Sequence, residues 1–407
     1  MEKQKLLVVS QHYYPENFRI NDIVAGFIED GYSVDVLCGM PNYPEGEWFP
    51  GYSSRGPKYE EINGVRVFRS GEIRRKGNTS LRIFLNYISW PITAFFRVGR
   101  LKENYNAVLC YQTSPVIMCF PAIRAARKYK VPLTTYVLDP WPENLYSVLS
   151  IKSKLLRNIA LSVSNWHYDK SDKLIALSES LKERLQLRVK DKEKPIFVVP
   201  QHAEDFYASQ ISDRELSAAF AGKTVILFAG NFSPAQNIEG VIEAVSIAYA
   251  KGFSDIHLLL VGSGMSQTSI EDKVRELNAE NLVTLYGRVE AQEIPRFTTL
   301  VDAIVVPLAA HDDLKLAVPA KLASSMAAGK PIIASLDGEG AQAVIAADCG
   351  YAAPSGDQDA LAHCFLTFSK LGKQSRKEMG LKASKYYEAH FSKEKILKTL
   401  EQVLFRV

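Results

Sequence analysis

Short, unbroken apolar runs alternate along this chain with segments whose apolar residues recur at helical spacing. The runs at 5–10, 33–38, 65–69, 107–111, 133–138, 173–176 and 196–199 read as strands. Segments such as 20–29, 116–129, 152–168 and 178–187 read as the helices between them. The pattern restarts at 224–228 and continues with runs at 256–261, 283–286, 303–306 and 331–334, then a weaker one near Tyr351. Strands that are apolar on both faces and alternate with helices predict parallel sheets covered on both sides. Right-handed crossovers then make each half a doubly wound α/β domain.

Pro200 ends a strand, and the polar stretch 201–222 separates the two series. We place an N-terminal Rossmann-like domain at 1–200, a second one at 201–375, and C-terminal helices at 376–407. The last segment carries a helical repeat of Leu397, Leu400, Val403 and Leu404. Ligands in such sheets bind beyond the carboxyl ends of the strands, so two facing domains predict a binding cleft between them.

Composition narrows the class. At 407 residues the chain exceeds one hydrophobic core. A 47% hydrophobic and 23% charged composition fits a globular protein and excludes disorder. The net charge of +4 gives no reason to expect nucleic acid as a partner. Cys38, Cys110, Cys119, Cys349 and Cys364 form no C-x-x-C pair, which predicts buried reduced thiols in a cytoplasmic protein. No signal peptide is visible, and no apolar stretch reaches the roughly 20 residues needed to span a bilayer.

The chemistry-bearing residues lie just after the strands. In the second half, Phe228-Ala-Gly-Asn-Phe-Ser-Pro-Ala-Gln-Asn237, Leu259-Leu-Val-Gly-Ser-Gly264, Tyr286-Gly-Arg-Val289, Val318-Pro-Ala-Lys321 and Asp337-Gly-Glu339 would line one sheet edge. Lys321 falls in the first turn of a short helix, where free N–H groups and the helix dipole suit a phosphate. Arg288 offers a planar fork of donors for the same charge. In the first half, His12-Tyr-Tyr-Pro-Glu-Asn-Phe-Arg19, Met40-Pro-Asn-Tyr-Pro-Glu-Gly46 and Asp139-Pro-Trp-Pro-Glu143 occupy equivalent loops. Asn17 is also a candidate cap for the helix that follows it.

Taken in order, the five turns between residues 224 and 356 resemble the donor domain of glycosyltransferase family 4, the retaining sugar transferases of the GT-B fold. The combination of Ala235-Gln-Asn, Tyr286-Gly-Arg, Pro319-Ala-Lys and Asp337-Gly-Glu is similar to a subgroup making bacterial O-antigens and capsules. That subgroup includes transferases of N-acetyl-L-fucosamine or L-fucose. The chain departs from the broad family at several places. Asn231 and Gln236 stand where many members have arginine and lysine, and Leu316 and Ser324 stand where many have two glutamates. The first loop also lacks the glycine pair common in the family.

The resemblance implies two Rossmann-like domains facing across a cleft, with the final helix crossing back to the first. It implies a nucleotide-sugar donor, expected to be UDP-linked and to carry an N-acetylated 6-deoxy amino sugar. The acceptor would be a glycan on a polyprenyl diphosphate. Donor-binding candidates are Gly230, Asn231, Gln236, Gly262, Arg288, Val289, Lys321 and Glu339, with Glu339 replacing the missing glutamates. Acceptor-binding candidates are Glu16, Asn17, Arg19, Asn42 and Tyr43. Catalytic candidates are Asp139, Glu143, Arg288 and Lys321, the first two binding acceptor or sugar because the departing phosphate can take the acceptor's proton. No metal or other cofactor is expected: no D-x-D follows a strand, and Asp312-Asp313 reads as a solvated pair.

Between 74 and 102, Arg74, Arg75, Lys76, Arg82, Arg97, Arg100 and Lys102 interleave with Phe84, Leu85, Tyr87, Ile88, Trp90, Phe95 and Phe96. This pattern suits anionic lipid head groups and predicts peripheral attachment to the inner face of the cell membrane. Two other readings remain at this level: a UDP-sugar 2-epimerase of similar fold, and a nucleotide-sugar binding protein without catalysis. The sequence argues against a dehydrogenase, since no G-x-G-x-x-G opens a helix after either first strand.

Overall fold

A computed structural model describes residues 4–139, 141–142, 153–311, 314–316 and 318–406. The chain divides into two compact units, one running to Pro200 and resuming at Ile396, the other spanning Gln201–Lys395.

The first unit is built on eight strands: β1 Lys5–Val9, β2 Ser33–Cys38, β3 Tyr59–Ile62, β4 Val65–Arg69, β5 Ala107–Gln112, β6 Leu133–Val137, β7 Lys173–Ala176 and β8 Ile196–Val198. Their order is β3-β4-β2-β1-β5-β6-β7-β8. All pairings are parallel except β3–β4. That hairpin turns on two residues, Asn63 (φ 51°) and Gly64 (φ 78°), the left-handed pair that such tight hairpins require. Leu6, Leu7, Val8 and Val9 are fully buried, as expected of a central strand covered on both faces. From β1 the chain turns to β2 on one side and later to β5 on the other, so the topological switch lies between β1 and β5.

The second unit holds β9 Thr224–Ala229, β10 Ile256–Val261, β11 Val283–Gly287, β12 Ala303–Pro307, β13 Ile332–Ser335 and β14 Gly350–Ala353. They are parallel throughout, in the order β11-β10-β9-β12-β13-β14, with the switch between β9 and β12.

The C-terminal helices separate. Helix Lys393–Phe405 sets Ile396, Leu397, Leu400, Val403 and Leu404 into the core of the first unit. Gly26 makes room for it, since a Cβ there would stand 2.3 Å from Leu397 Cδ1. Tyr32 stacks on Phe405 with centroids 5.1 Å apart and donates to Glu401 at 2.7 Å. Helix Lys373–His390, grouped with it in the sequence-based division at 376, stays with the second unit. There Ala383 and Tyr387 are buried against Met326 and Ala327 of helix Ala320–Ala327 in one apolar cluster, and a Cβ at Gly380 would meet Gly329 O at 2.2 Å. All five cysteines are buried and free.

Candidate active site

Three glycine turns close the carboxyl ends of neighbouring strands in the second unit. Gly230 N–H donates to Val261 O at 2.9 Å, and Gly262 N–H donates to Gly287 O at 2.8 Å. Gly230 and Gly262 adopt φ of 143° and 148°, a region open to glycine alone. A Cβ on Gly262 would lie 1.9 Å from Gly230 O, so no other residue fits. Phe232 and Ser263 are joined through backbone at 2.9 Å, and Ala309 N–H donates to Ala235 O at 2.9 Å. These bonds fix the loops after β9, β10 and β12 against one another at the switch point.

Lys321 enters this frame from the first turn of helix Ala320–Ala327. Its ammonium donates to Gln236 Oε1 at 2.7 Å and stands 3.8 Å above the centre of the Phe228 ring. Gly230 leaves the room it needs: a Cβ there would be 3.0 Å from Nζ. Burial pulls the Lys321 pKa down from 10.5 to about 7. A cation held over an aromatic face, with an amide oxygen as its hydrogen-bond partner, is primed for an incoming anion.

The other donor candidates surround this point at different distances along the sheet edge. Asn231 is exposed beside Gly264, where a Cβ would be 2.5 Å from Asn231 Oδ1. Glu339 sits in the first turn of helix Gly338–Ala346, after β13. The turn is cramped: Gly338 has φ 70°, and a Cβ there would be 2.3 Å from Lys315 O. Arg288 is exposed after β11, the edge strand, two positions along the sheet from β9. Val289 is half-buried and packs with the apolar cluster containing Phe297 and Leu322, so its side chain belongs to the core. The structure thus gathers Lys321, Gln236 and Gly230 directly, with Arg288 and Glu339 on opposite flanks.

In the first unit the equivalent edge is filled with polar side chains bonded to each other. Glu16 is buried; Oε1 accepts from the N–H groups of Asn42 and Tyr43 at 2.7 Å each, and Oε2 pairs with His12 Nδ1 at 2.8 Å. The Asn42 amide nitrogen donates to Met40 O at 2.9 Å and to Glu72 Oε1 at 2.6 Å. Gln11 Nε2 donates to Glu72 Oε2 at 2.8 Å and to Asn86 Oδ1 at 2.9 Å. Burial, then the nearby Glu16 charge, raises the Glu72 pKa well above the usual carboxylate range. Glu16 and Asn42, expected to face an acceptor, therefore brace the loops after β1 and β2 from inside.

Tyr43 is 37% exposed and leans on His12 and Phe18, each 5.3 Å away between centroids. Asn17 is exposed and makes no capping bond; helix Arg19–Glu29 starts after Phe18 instead. The nearby Asn21 ties the loop, accepting from Tyr14 N–H at 3.0 Å and donating to Glu16 O at 2.7 Å. Arg19 is half-buried in the first turn. Asp139 follows β6; burial pushes its pKa up to about 6, opposed by a backbone bond from Ser114. Glu143 lies outside the described residues, as do Asp312 and Asp313.

His12, Glu72, Gln11 and Asn86 were not singled out by the sequence reading. Their signal was a polar residue at a strand end or within an apolar helix. The stretch 74–102 also divides: Trp90 and Asn86 are buried, while Leu81, Phe84, Ile92 and Phe96 stand exposed on helix Ser80–Arg100. Among the described residues no helix is long and apolar enough to cross a membrane.

Two doubly wound α/β units, the second with glycine turns and a buried lysine at its switch point, are the frame on which the family comparison bears. Residues 17–201 match the glycosyl transferase 4-like domain, and residues 209–386 match glycosyl transferases group 1. The chain belongs to the glycosyltransferases and has the GT-B fold. It is 27% identical over 294 residues to a probable glycosyltransferase, WbjE, of Pseudomonas aeruginosa, covering 67% of this chain and 69% of that one. It is 22% identical to WcaI of Escherichia coli K12, a putative colanic acid biosynthesis glycosyl transferase, covering 68% and 70%. Among solved structures, HepE of Anabaena in complex with UDP and glucose superposes with a TM-score of 0.70 at 16% identity, covering 100% of both chains.

Proposed function

We propose that this glycosyltransferase moves a sugar, with retention, from a UDP-linked donor to a lipid-linked glycan in bacterial surface polysaccharide synthesis. The observation that carries the reading is Lys321, buried over Phe228 between Gly230 and Gln236 at the switch point of the second unit. A diphosphate placed there would meet the ammonium, and charge developing on it as the glycosidic bond breaks is what such a cation stabilises. HepE, of similar fold, holds UDP and glucose according to the description of its structure. Arg288 and Glu339 serve the phosphates and the ribose or sugar from the two flanks. Asp139 orients the acceptor, Tyr43 and Arg19 border it, and no metal takes part.

WcaI, named for colanic acid biosynthesis, supports a polysaccharide acceptor, and the motif resemblance directs the sugar toward an N-acetylated 6-deoxy hexosamine. Exposed Leu81, Phe84, Ile92 and Phe96, with Arg82 and Arg100 on the same helix, would rest on anionic lipid where a polyprenyl carrier is held. The epimerase alternative gains no support, because both matching domains are described as glycosyl transferases.

The test is transfer itself. The purified chain, with membranes carrying the lipid-linked glycan, is offered UDP-linked hexoses and N-acetylhexosamines in the presence of EDTA. Transfer of one sugar with its anomeric configuration kept is expected. Donor turnover that requires no acceptor and gives an isomerised UDP-sugar would contradict the reading.

A further inference from the structure

Arg75, expected from its sequence neighbourhood to face lipid, is instead 6% exposed and enclosed at the carboxyl edge of the first unit. Its guanidinium lies between two aromatic rings, 5.1 Å from the centre of Tyr43 and 4.9 Å from that of Tyr87. Nε donates to Asn86 Oδ1 at 3.1 Å, and its backbone N–H donates to Asn42 Oδ1 at 3.2 Å. Among the described residues, no carboxylate lies within ion-pair distance of it. The two terminal nitrogens have no protein partner among those residues, and neither is among the polar atoms sealed from solvent. Those two nitrogens are therefore the part of the guanidinium that solvent reaches.

A buried guanidinium normally has a counter-ion, because leaving its charge uncompensated is expensive. Glu72, in the same network, is not within ion-pair distance; burial and then Glu16 raise its pKa well above the usual carboxylate range, against the opposing pull of Arg75, and both its oxygens already accept from Asn42 and Gln11. Glu16 is committed to His12 and two backbone N–H groups. The rings fix the plane of the fork and leave its outer edge for a bidentate partner, the geometry suited to a carboxylate or phosphate.

We propose that Arg75, clamped between Tyr43 and Tyr87, is an oxyanion-binding residue that receives a phosphate or carboxylate group carried by the acceptor. Assigning the anion to the acceptor rests on the reading of the first unit given above; binding of the anion does not.

The experiment uses the full chain saturated with UDP, so that the second unit is occupied. Inorganic pyrophosphate is followed by 31P line broadening, and glucuronate by proton saturation transfer. At least one probe is expected to bind wild type, to weaken at least tenfold in Arg75→Met, and to recover only in part in Arg75→Lys. Pyrophosphate preference identifies a lipid-carrier diphosphate, and glucuronate preference an acidic sugar. Tyr87→Leu, on the half-buried side of the clamp, is expected to weaken the same probe severalfold and serves if Arg75→Met does not fold. Neither probe binding, or equal binding by wild type and Arg75→Met, overturns the proposal. UDP affinity is read separately and should be unchanged in Arg75→Met. Should wild type fail to bind UDP, the donor assignment falls, and the pyrophosphate comparison is repeated in a Lys321→Met background.

Discussion

The two units present the same edge of the same kind of sheet, yet they furnish it in opposite ways. In the second unit, glycines clear the strand ends and one buried lysine occupies the space, over Phe228 and beside Gln236. In the first unit, Glu16, Asn42, Glu72, Gln11 and Asn86 fill the corresponding edge with a bonded network. The difference follows from what each edge is proposed to hold. A diphosphate needs close backbone approach and positive charge, which bulky side chains would block. A glycan acceptor varies in shape and is held by loops, and loops must be braced if they are to present fixed groups.

That contrast can be broken most strongly at Lys321. Lys321→Met should lower kcat/KM by about 10²- to 10³-fold, the loss of one transition-state charge partner. Steady-state kinetics with a UDP-sugar reads it, and a change below tenfold would remove the lysine from the reaction. Next in size is the glycine frame. Gly262→Ala forces a Cβ to 1.9 Å from Gly230 O at φ 148° and should cost about 3 kcal/mol of stability or abolish UDP binding. Thermal unfolding checks this; an unchanged midpoint with intact UDP affinity would mean the loops are not held as described.

On the other edge, Glu16→Ala strands the N–H groups of Asn42 and Tyr43 and should cost about 2 kcal/mol. UDP affinity should stay unchanged, since the network belongs to the first unit; parallel loss of both would erase the contrast.

The smallest effect is a pH dependence. Burial lowers the Lys321 pKa to about 7, so the free protein progressively loses this charge as pH rises through 7. A bound diphosphate favours the charged form, so binding takes up a proton above that pH, and affinity should fall by up to tenfold per unit. Lys321→Arg, which stays charged, should flatten this slope while leaving the nucleotide's own titration in place. Equal slopes in the two proteins would contradict the assignment.

Much of the fold was legible because β1, β2, β5, β9, β10 and β12 are nearly continuous apolar runs, a pattern that only doubly covered strands sustain. β3 was missed: Tyr59-Glu-Glu-Ile62 is half polar because it is an edge strand, exposed or half-exposed throughout. The left-handed pair Asn63-Gly64 was the available signal for its hairpin. The positions of Lys321, Gly230, Gly262 and Asp139 in loops or turns near strand ends were legible because such loops can be placed from the strands alone. Glu16 and Asn42 were found but given an outward role, since a loop residue's orientation depends on partners distant in sequence, here His12 and Glu72. Arg75 was grouped with lipid-facing cations for the same reason; only tertiary contact turns it inward, between Tyr43 and Tyr87.

The second unit's bare edge, with Lys321, is proposed to bind a nucleotide diphosphate. Calorimetric titration of UDP, GDP and dTDP into wild type and Lys321→Met, with EDTA and then with magnesium, tests it most directly. UDP is expected to bind wild type with an affinity that magnesium leaves unchanged, and to bind Lys321→Met at least tenfold more weakly. Absence of binding by all three nucleotides, or equal affinity in Lys321→Met, would contradict it.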